Sequence, residues 1–403
     1  MNIFFSVGEP SGDLHGANLI RELKRRRPDW RMVGYGGPKM EQAGCDLHTD
    51  LTQFAVMWFL QVILNYHKFR ALVQRADRYF AEHRPDAVVL IDYPGFNWHI
   101  AKKAKAHGIP VYYYGAPQLW GWAGWRVKKM RRNVDHVLVK LPFEEQWYRD
   151  RGCNATYLGH PYFDELRAQH LDEQFVASHQ ANGPLVTILP GSRTQEVRSN
   201  LVWQLKAAEK IRARSPGVRF AIAVFKESQR ALVETELAKS GVEADVHVGR
   251  TPELIRAATC CLAVSGSVSL ELLFHTKPTA IVYSVSPLAF FVQKFFRRVR
   301  YITLVNLLTA EELFPEEVGV FDPHDPRDAH VLMPEYLTCE DPSDALAGHA
   351  AGWLTDEAAR EELVARMAEL KERIGQGGAS VRASEYLIDT LEPAAPAAVS
   401  DAA

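Results

Sequence analysis

The usual markers of a redox, metal-binding or membrane-spanning protein are missing from this chain. Its 403 residues hold five cysteines, Cys45, Cys153, Cys260, Cys261 and Cys339, with no CxxC and no Cys/His spacing of the kind that binds zinc. That scarcity excludes a disulfide scaffold. With no secretory leader ahead of the first apolar strand, free thiols in a reducing cytoplasm are expected. No apolar run reaches the roughly 18 residues that span a bilayer. The nearest, Phe54 to Leu64, is broken by Gln61. Neither GxGxxG nor GxxxxGK followed by Ser or Thr occurs, which argues against a nicotinamide enzyme and a P-loop NTPase, so no cofactor is expected. Nor does an Asp-x-Asp pair or a His/carboxylate cluster stand out in the sequence, and no metal is expected. The net charge of -2 gives no excess of positive charge, and so no case for nucleic acid as a partner.

What the chain has is alternation. Short apolar segments are separated by amphipathic helical patterns, the signature of parallel sheets covered on both faces, hence an α/β fold. With 47% hydrophobic residues and this length, two cores and two domains are expected. Strands read at Ile3 to Val7, Arg31 to Tyr35, Ala87 to Ile91, Pro110 to Tyr114, His136 to Val139 and Thr156 to Leu158. The second series reads at Leu185 to Leu189, Arg219 to Val224, Asp245 to Val248, Cys260 to Val264 and Pro278 to Tyr283. Residues 165 to 183 are polar and carry no strand, which puts a boundary between a domain of residues 1–165 and one of 184–375. After Pro334 the composition predicts helix to about Leu391, followed by a disordered Ala/Pro tail, 393–403.

Both halves begin alike, with a strand, a small-residue loop and a helix. LVTILPGSRTQEVRSN, from Leu185 to Asn200, runs from a strand through Gly191, Ser192 and Arg193 into a helix. Backbone N–H groups, the helix dipole and the planar donors of Arg193 converge there, as an anion site requires. The alternative is an ordinary βα turn with a surface arginine. GEPSGD, after the first strand, contains Ser11, Gly12 and Asp13, with His15 in the opening turn of the helix. Here the glycines admit a ligand to the backbone, or Ser11 and Asp13 serve as helix caps.

Open parallel sheets bind ligands at the carboxyl ends of their strands, so polar residues placed there matter most. Asp92 ends the strand AVVLI and precedes Tyr93-Pro94-Gly95, well placed to take a proton from a substrate hydroxyl, or to make an Asx-turn. From Tyr112 to Trp125, three Tyr and three Trp suit a platform for a sugar or an acyl chain, or a packed core. Ser265, Gly266, Ser267 and Ser269 close a strand and open a helix, with Glu271 one turn in, within reach of a ribose diol. Two helix N-termini in one domain suggest a nucleotide diphosphate.

With these motifs in hand, the sequence resembles the lipid-A-disaccharide synthases, family 19 glycosyltransferases. The matching stretches are GEPSGDLHGANLI, GYGGPKM, AVMWF, IDYPGFN, YGAPQLWGW, LPFE, YLGHP, LPGSRTQEV, SGSVSLE, YSVSPL, YITLVNLL and MPEYL. Departures are Trp58, Gln61 and Thr338, and the segment from about Thr309 to Leu332 reads as an insertion. The resemblance implies a GT-B fold of two Rossmann-like domains facing a cleft, with a last helix of about residues 380–391 returning to the first domain. It implies transfer, with inversion, of 2,3-diacylglucosamine from UDP to 2,3-diacylglucosamine 1-phosphate. Asp92 matches the proposed general base, with Glu9 and His15 beside it as catalytic candidates. Substrate-binding roles follow for Asn97, Gln118, Trp120, Trp122 and His160, and, on the nucleotide side, for Glu196, Tyr283, Asn306 and Glu335. A homodimer is expected through the same resemblance, as is a peripheral site on the cytoplasmic face of the inner membrane.

Acylated sugars partition into lipid, so docking segments are expected at the membrane surface. Two stretches qualify, Phe54 to Leu64 and Leu288 to Tyr301. In the second, Phe290, Phe291, Phe295 and Phe296 adjoin Lys294, Arg297, Arg298 and Arg300. The alternative for the second is a core helix with a solvated basic end.

Overall fold

The computed structural model describes residues 1–54 and 66–393. Residues 55–64 of the first apolar stretch, with Trp58 and Gln61, and residues 394–403 of the tail lie outside the described residues. The chain divides into two compact units, Met1–Asp164 with the segment from Gly377 onward, and Glu165–Gln376.

The first unit is a seven-stranded sheet of β1 (Asn2–Val7), β2 (Arg31–Gly36), β3 (Cys45–Asp50), β4 (Ala87–Ile91), β5 (Val111–Tyr114), β6 (His136–Val139) and β7 (Ala155–Tyr157). Their order is β3-β2-β1-β4-β5-β6-β7, and every pairing is parallel. The central strands are buried from end to end because helices cover both faces, which explains their unbroken apolar runs. Sequence reading missed β3. CDLHTD is polar because it lies at the sheet edge, where only Cys45 is buried and main-chain pairing with β2 decides the conformation.

The second unit is a six-stranded sheet of β8 (Leu185–Leu189), β9 (Arg219–Val224), β10 (Asp245–Val248), β11 (Cys260–Ala263), β12 (Thr279–Ser284) and β13 (Glu335–Thr338), ordered β10-β9-β8-β11-β12-β13. The strand β13 corrects the expectation of helix directly after Pro334. EYLT pairs in parallel with β12, Ile281 opposite Glu335, and helix resumes only at Ser343. The polar stretch after residue 165 carries the helices Tyr162–Ala168 and Glu173–Gln180 and no strand.

The last helix, Ala379–Leu391, belongs to the first unit. Its Ala383, Leu387 and Ile388 enter the same core as Leu19, Ile20 and Leu23 of the helix Pro10–Arg26. Asp164 caps its start by accepting from the backbone N–H groups of Gly378, Ala379 and Ser380.

Within each unit the chain reverses its direction of travel across the sheet at one place, between β1 and β4 and between β8 and β11. Such switch points part the loops that follow the two central strands and open a crevice at their carboxyl ends. Asp92 and the Gly8–Gly12 loop flank the first. The loops at Gly191 and Ser265 flank the second.

Candidate functional site

At the first switch point the backbone is strained. Asp92 and Tyr93 both have left-handed conformations, φ 46° and 45°, which for non-glycine residues costs roughly 1–3 kcal/mol each. A buried network holds them there. The Asn97 side-chain amide donates to the carbonyls of Asp92 (2.8 Å), Ile91 (3.2 Å) and Ser6 (3.1 Å), while its oxygen accepts from the Ser6 hydroxyl at 2.7 Å. Tyr113 adds a 2.7 Å hydrogen bond to the Asp92 carbonyl. Asn97 is fully buried, so it fixes the elbow instead of contacting a ligand, a correction to its expected role.

The elbow turns the Asp92 side chain toward the loop after β1. A Cβ on Gly12 would lie 3.4 Å from Asp92 Oδ2, and one on Gly8 would collide with the Tyr93 ring at 2.3 Å. Gly8 is therefore a steric requirement of this elbow, whereas the tight contact of a Cβ on Gly12 would be with Val7 Cγ1 at 2.9 Å. Asp13 is buried, and its carboxylate accepts from the N–H groups of Gly37, Lys39 and Met40 at 2.9–3.1 Å. It caps the neighbouring helix Pro38–Gln42. Neither a substrate contact nor a cap on its own helix describes it. Ser11 is exposed in the first turn of the helix Pro10–Arg26.

Lys140 was not foreseen. It follows β6 directly, and its Nζ lies 3.5 Å from Asp92 Oδ1. Burial pulls the Lys140 pKa down, but the carboxylates of Asp92, Glu144 and Glu9 outweigh it, and the ammonium titrates above its ordinary range. His160, buried after β7, shares this environment. Burial, reinforced by Lys140 and His15, pushes its pKa well below the usual value and leaves it neutral. Its Nδ1 accepts from the Tyr162 N–H at 3.2 Å, which puts the ring proton on Nε2. Asp92, Lys140, Glu9, His15 and His160 thus gather at the carboxyl ends of β1, β4, β6 and β7. The signal for Lys140 was available in the sequence, a charged residue directly after a strand.

The aromatic stretch divides. Tyr112, Tyr113 and Tyr114 are core residues of β5, and Trp120 is buried with its indole donating to Glu144 at 2.8 Å. Trp120 is therefore not part of an open platform. Glu144, its own pKa raised by burial, also accepts from the N–H groups of Lys140 (3.0 Å) and Leu141 (2.9 Å) and so locks the Lys140 turn. Gln118 is half-buried. Trp122 and Trp125 are exposed and meet edge to face at 6.3 Å, with the Arg126 guanidinium over both rings.

In the second unit, Gly191 adopts φ 122°, where a Cβ would strike Glu196 at 2.7 Å. Glu196 then accepts from the N–H groups of Ser192 and Arg193, both at 3.1 Å, and pairs with the Arg193 guanidinium at 2.8 Å. Those two amides, expected to face an anion, are thus held by the helix's own carboxylate, while Arg193 stays largely exposed. Across the switch point Ser265 donates to the Ile302 carbonyl at 2.9 Å, and Ser269 to that of Gly266 at 2.8 Å. Gly266 and Ser267 are exposed, Tyr283 is half-buried and Glu271 is buried.

Asn306 and Glu335 are buried beneath these loops, which corrects their expected ligand contacts. Glu335 accepts from the N–H groups of Ile302 (2.6 Å) and Thr303 (2.9 Å) and from Asn306 (2.9 Å). Asn306 in turn bonds both main-chain groups of Met333. Together they hold the turn that receives the Ser265 hydroxyl.

The segment Leu288 to Tyr301 resolves into two parts. The helix Pro287–Phe296 has no buried residue, and Leu288, Phe291, Val292, Phe295 and Phe296 are exposed, Phe295 at 64%. It is not a core helix. Arg300, by contrast, is buried against Asp325 (2.9 Å) and Asp328 (2.6 and 2.8 Å), and Arg297 donates to the carbonyls of Arg300 and Gly319. These two arginines fix the segment after Thr309 and do not form part of a free basic patch. Among the described residues no helix is long and apolar enough to cross a membrane. One group of metal-type ligands also emerges, His179, Asp245 and His247, which corrects the expectation that no His/carboxylate cluster exists.

Two parallel-sheet units with this topology define the GT-B class of glycosyltransferases and UDP-sugar epimerases. UDP-GlcNAc 2-epimerase from Neisseria meningitidis, solved bound to UDP-GlcNAc, matches with a TM-score of 0.62 at 13% identity over 96% of this chain and 100% of that one. The calicheamicin glycosyltransferase CalG4 matches at 0.55 and 14% identity, over 98% and 99%. The chain belongs to the lipid-A-disaccharide synthetase family, whose model matches residues 3–330. A lipid-A-disaccharide synthase of Myxococcus xanthus is 32% identical over 97% of this chain and 98% of its own length. The protein is therefore a glycosyltransferase of lipid A biosynthesis.

Proposed function

We propose that the chain transfers the 2,3-diacylglucosamine unit of its UDP-linked form to the 6-hydroxyl of 2,3-diacylglucosamine 1-phosphate, with inversion, giving the β-1,6-linked disaccharide 1-phosphate and UDP. The observation that carries this reading is the Asp92 elbow at the first switch point. In this mechanism Asp92 takes the proton of the attacking hydroxyl as the new bond to the sugar anomeric carbon forms and the bond to UDP breaks. Lys140 holds Oδ1, which leaves Oδ2 on the side opened by Gly12. Neutral His160, with its proton on Nε2, and His15 supply hydrogen bonds for sugar hydroxyls.

The second unit is assigned UDP. The loops at Gly191 and Ser265 flank a switch point, and the exposed Arg193 fork suits phosphate oxygens. The UDP-GlcNAc held by the Neisseria epimerase supports a UDP-sugar ligand for this fold. The exposed apolar helix Pro287–Phe296, with Lys294 and Arg298 beside it, is assigned to peripheral docking on an anionic membrane.

The decisive experiment is turnover of UDP-2,3-diacylglucosamine by purified protein with and without the monophosphate acceptor. Disaccharide formed only with acceptor is the expected result. UDP release that ignores the acceptor, or epimerised donor, would favour another UDP-sugar enzyme of the same fold.

A further inference from the structure

Remote from the switch-point loops in sheet order, the second unit brings two histidines and a carboxylate together at its sheet edge. His179 lies in the last turn of the helix Glu173–Gln180, and Asp245 and His247 occupy alternate positions of the edge strand β10, so their side chains leave one face of it. One ligand atom from each lies within 4.8 Å of the others. We propose that His179, Asp245 and His247 form a binding site for a divalent transition-metal ion, of which Zn²⁺ is the type, that clips this helix to the sheet edge.

The geometry is that of a chelating pair. The two Nε2 atoms are 3.4 Å apart, and a metal about 2.0–2.1 Å from each nitrogen at a tetrahedral angle needs them roughly 3.3–3.4 Å apart. The tautomer also suits. His179 Nδ1 lies 2.9 Å from the Phe175 carbonyl, an acceptor only, so Nδ1 carries the proton and Nε2 keeps its lone pair toward His247. One phenyl ring orients both imidazoles. Phe175 stacks on His179 at 4.1 Å and presents its edge to His247 at 5.1 Å.

Of the two arginines nearby, Arg250 is compensated by carboxylates. Arg250 lies over the Phe175 ring but pairs with Asp172 at 3.2 Å and Glu253 at 3.3 Å. Arg219 ties down the helix end through the His179 and Gly183 carbonyls. Two imidazoles and one carboxylate select Zn²⁺, Ni²⁺ or Cu²⁺ over Mg²⁺ or Ca²⁺, which favour all-oxygen sets. Three protein ligands leave one position for water.

A tag-free full-length chain, stripped with chelator and dialysed, tests this by calorimetric titration with ZnCl₂ and by metal analysis after equilibrium dialysis. One equivalent of Zn²⁺ per chain is expected, with none of Mg²⁺, and a melting temperature raised by about 5 °C or more in excess Zn²⁺. His179→Ala and His247→Ala should each weaken binding at least about tenfold, with metal-free melting near wild type. Co²⁺ bound to the wild-type chain should show the visible absorption of a four-coordinate site with nitrogen ligands, a readout that needs no variant. Less than one equivalent, the spectrum of hexaaquo-like Co²⁺, or unchanged binding in either variant would overturn the proposal.

Discussion

Asp92 shows how one side chain is aimed by groups that never meet a substrate. Two consecutive left-handed residues are costly, and Asn97, Ser6 and Tyr113 offset that cost with hydrogen bonds made inside the unit. The result is a carboxylate with one oxygen held by Lys140 and the other facing Gly12. Replacing Asp92 by Asn keeps the shape and removes the base. Turnover is expected to fall by roughly two to four orders of magnitude while UDP affinity is retained. Near-normal turnover in this variant, measured under saturating substrates, removes Asp92 from the mechanism. Sequence reading found Asp92 by its position at a strand end. It assigned Asn97, Asp13 and Trp120 to ligands because a sequence shows that a residue is polar or aromatic but not which backbone groups it satisfies.

Among the elements, the loop over β13 carries a charge-sensitive support. Burial pushes the Glu335 pKa from 4.5 up to about 7, although hydrogen bonds from Ile302, Thr303 and Asn306 work the other way. The folded chain therefore keeps a proton that the unfolded chain releases, and the stability tied to it is complete below about pH 4.5 and lost as pH rises through about 7. Glu335→Gln lacks this titration. Denaturant unfolding should show wild type losing stability relative to the variant between about pH 5 and about pH 8. A constant difference across that range would mean Glu335 is ionised throughout.

The helix Pro287–Phe296 has no buried residue and turns apolar side chains to solvent. Phe291, Phe295 and Phe296 are exposed and Phe290 is half-buried, whereas Arg297 and Arg300 are engaged in holding the following segment. Removing those arginines would test folding and not docking. The informative variant is Phe291→Ser with Phe295→Ser, each exchange removing on the order of 1.5–3 kcal/mol of apolar transfer where the ring enters lipid. Sedimentation with anionic vesicles should show binding that weakens with salt and drops in the double variant. Equal sedimentation by both proteins places docking elsewhere.

For the whole molecule, catalysis without a metal is the expectation, and the His179 cluster lies at the edge strand of the second unit and not at a switch point. Chelation with EDTA should leave turnover intact, since the largely exposed guanidinium of Arg193 can stabilise a leaving diphosphate. Loss of turnover, restored by Mg²⁺ or Mn²⁺, would contradict this.

The sequence by itself determined the α/β class, eleven of the strands, the two parallel halves and the loops at both switch points. Those features depend on local periodicity and on small residues beside strands, which are visible in a linear string. Only the tertiary structure decided the rest. It made the polar CDLHTD and the short EYLT into strands, since pairing with a neighbour outweighs weak local preference. It brought Lys140 to Asp92 across 48 positions and His179 to His247 across 68. It also turned Glu196, Asn306 and Glu335 inward as supports, because a buried amide must find an acceptor and the nearest one in space can be remote in the chain.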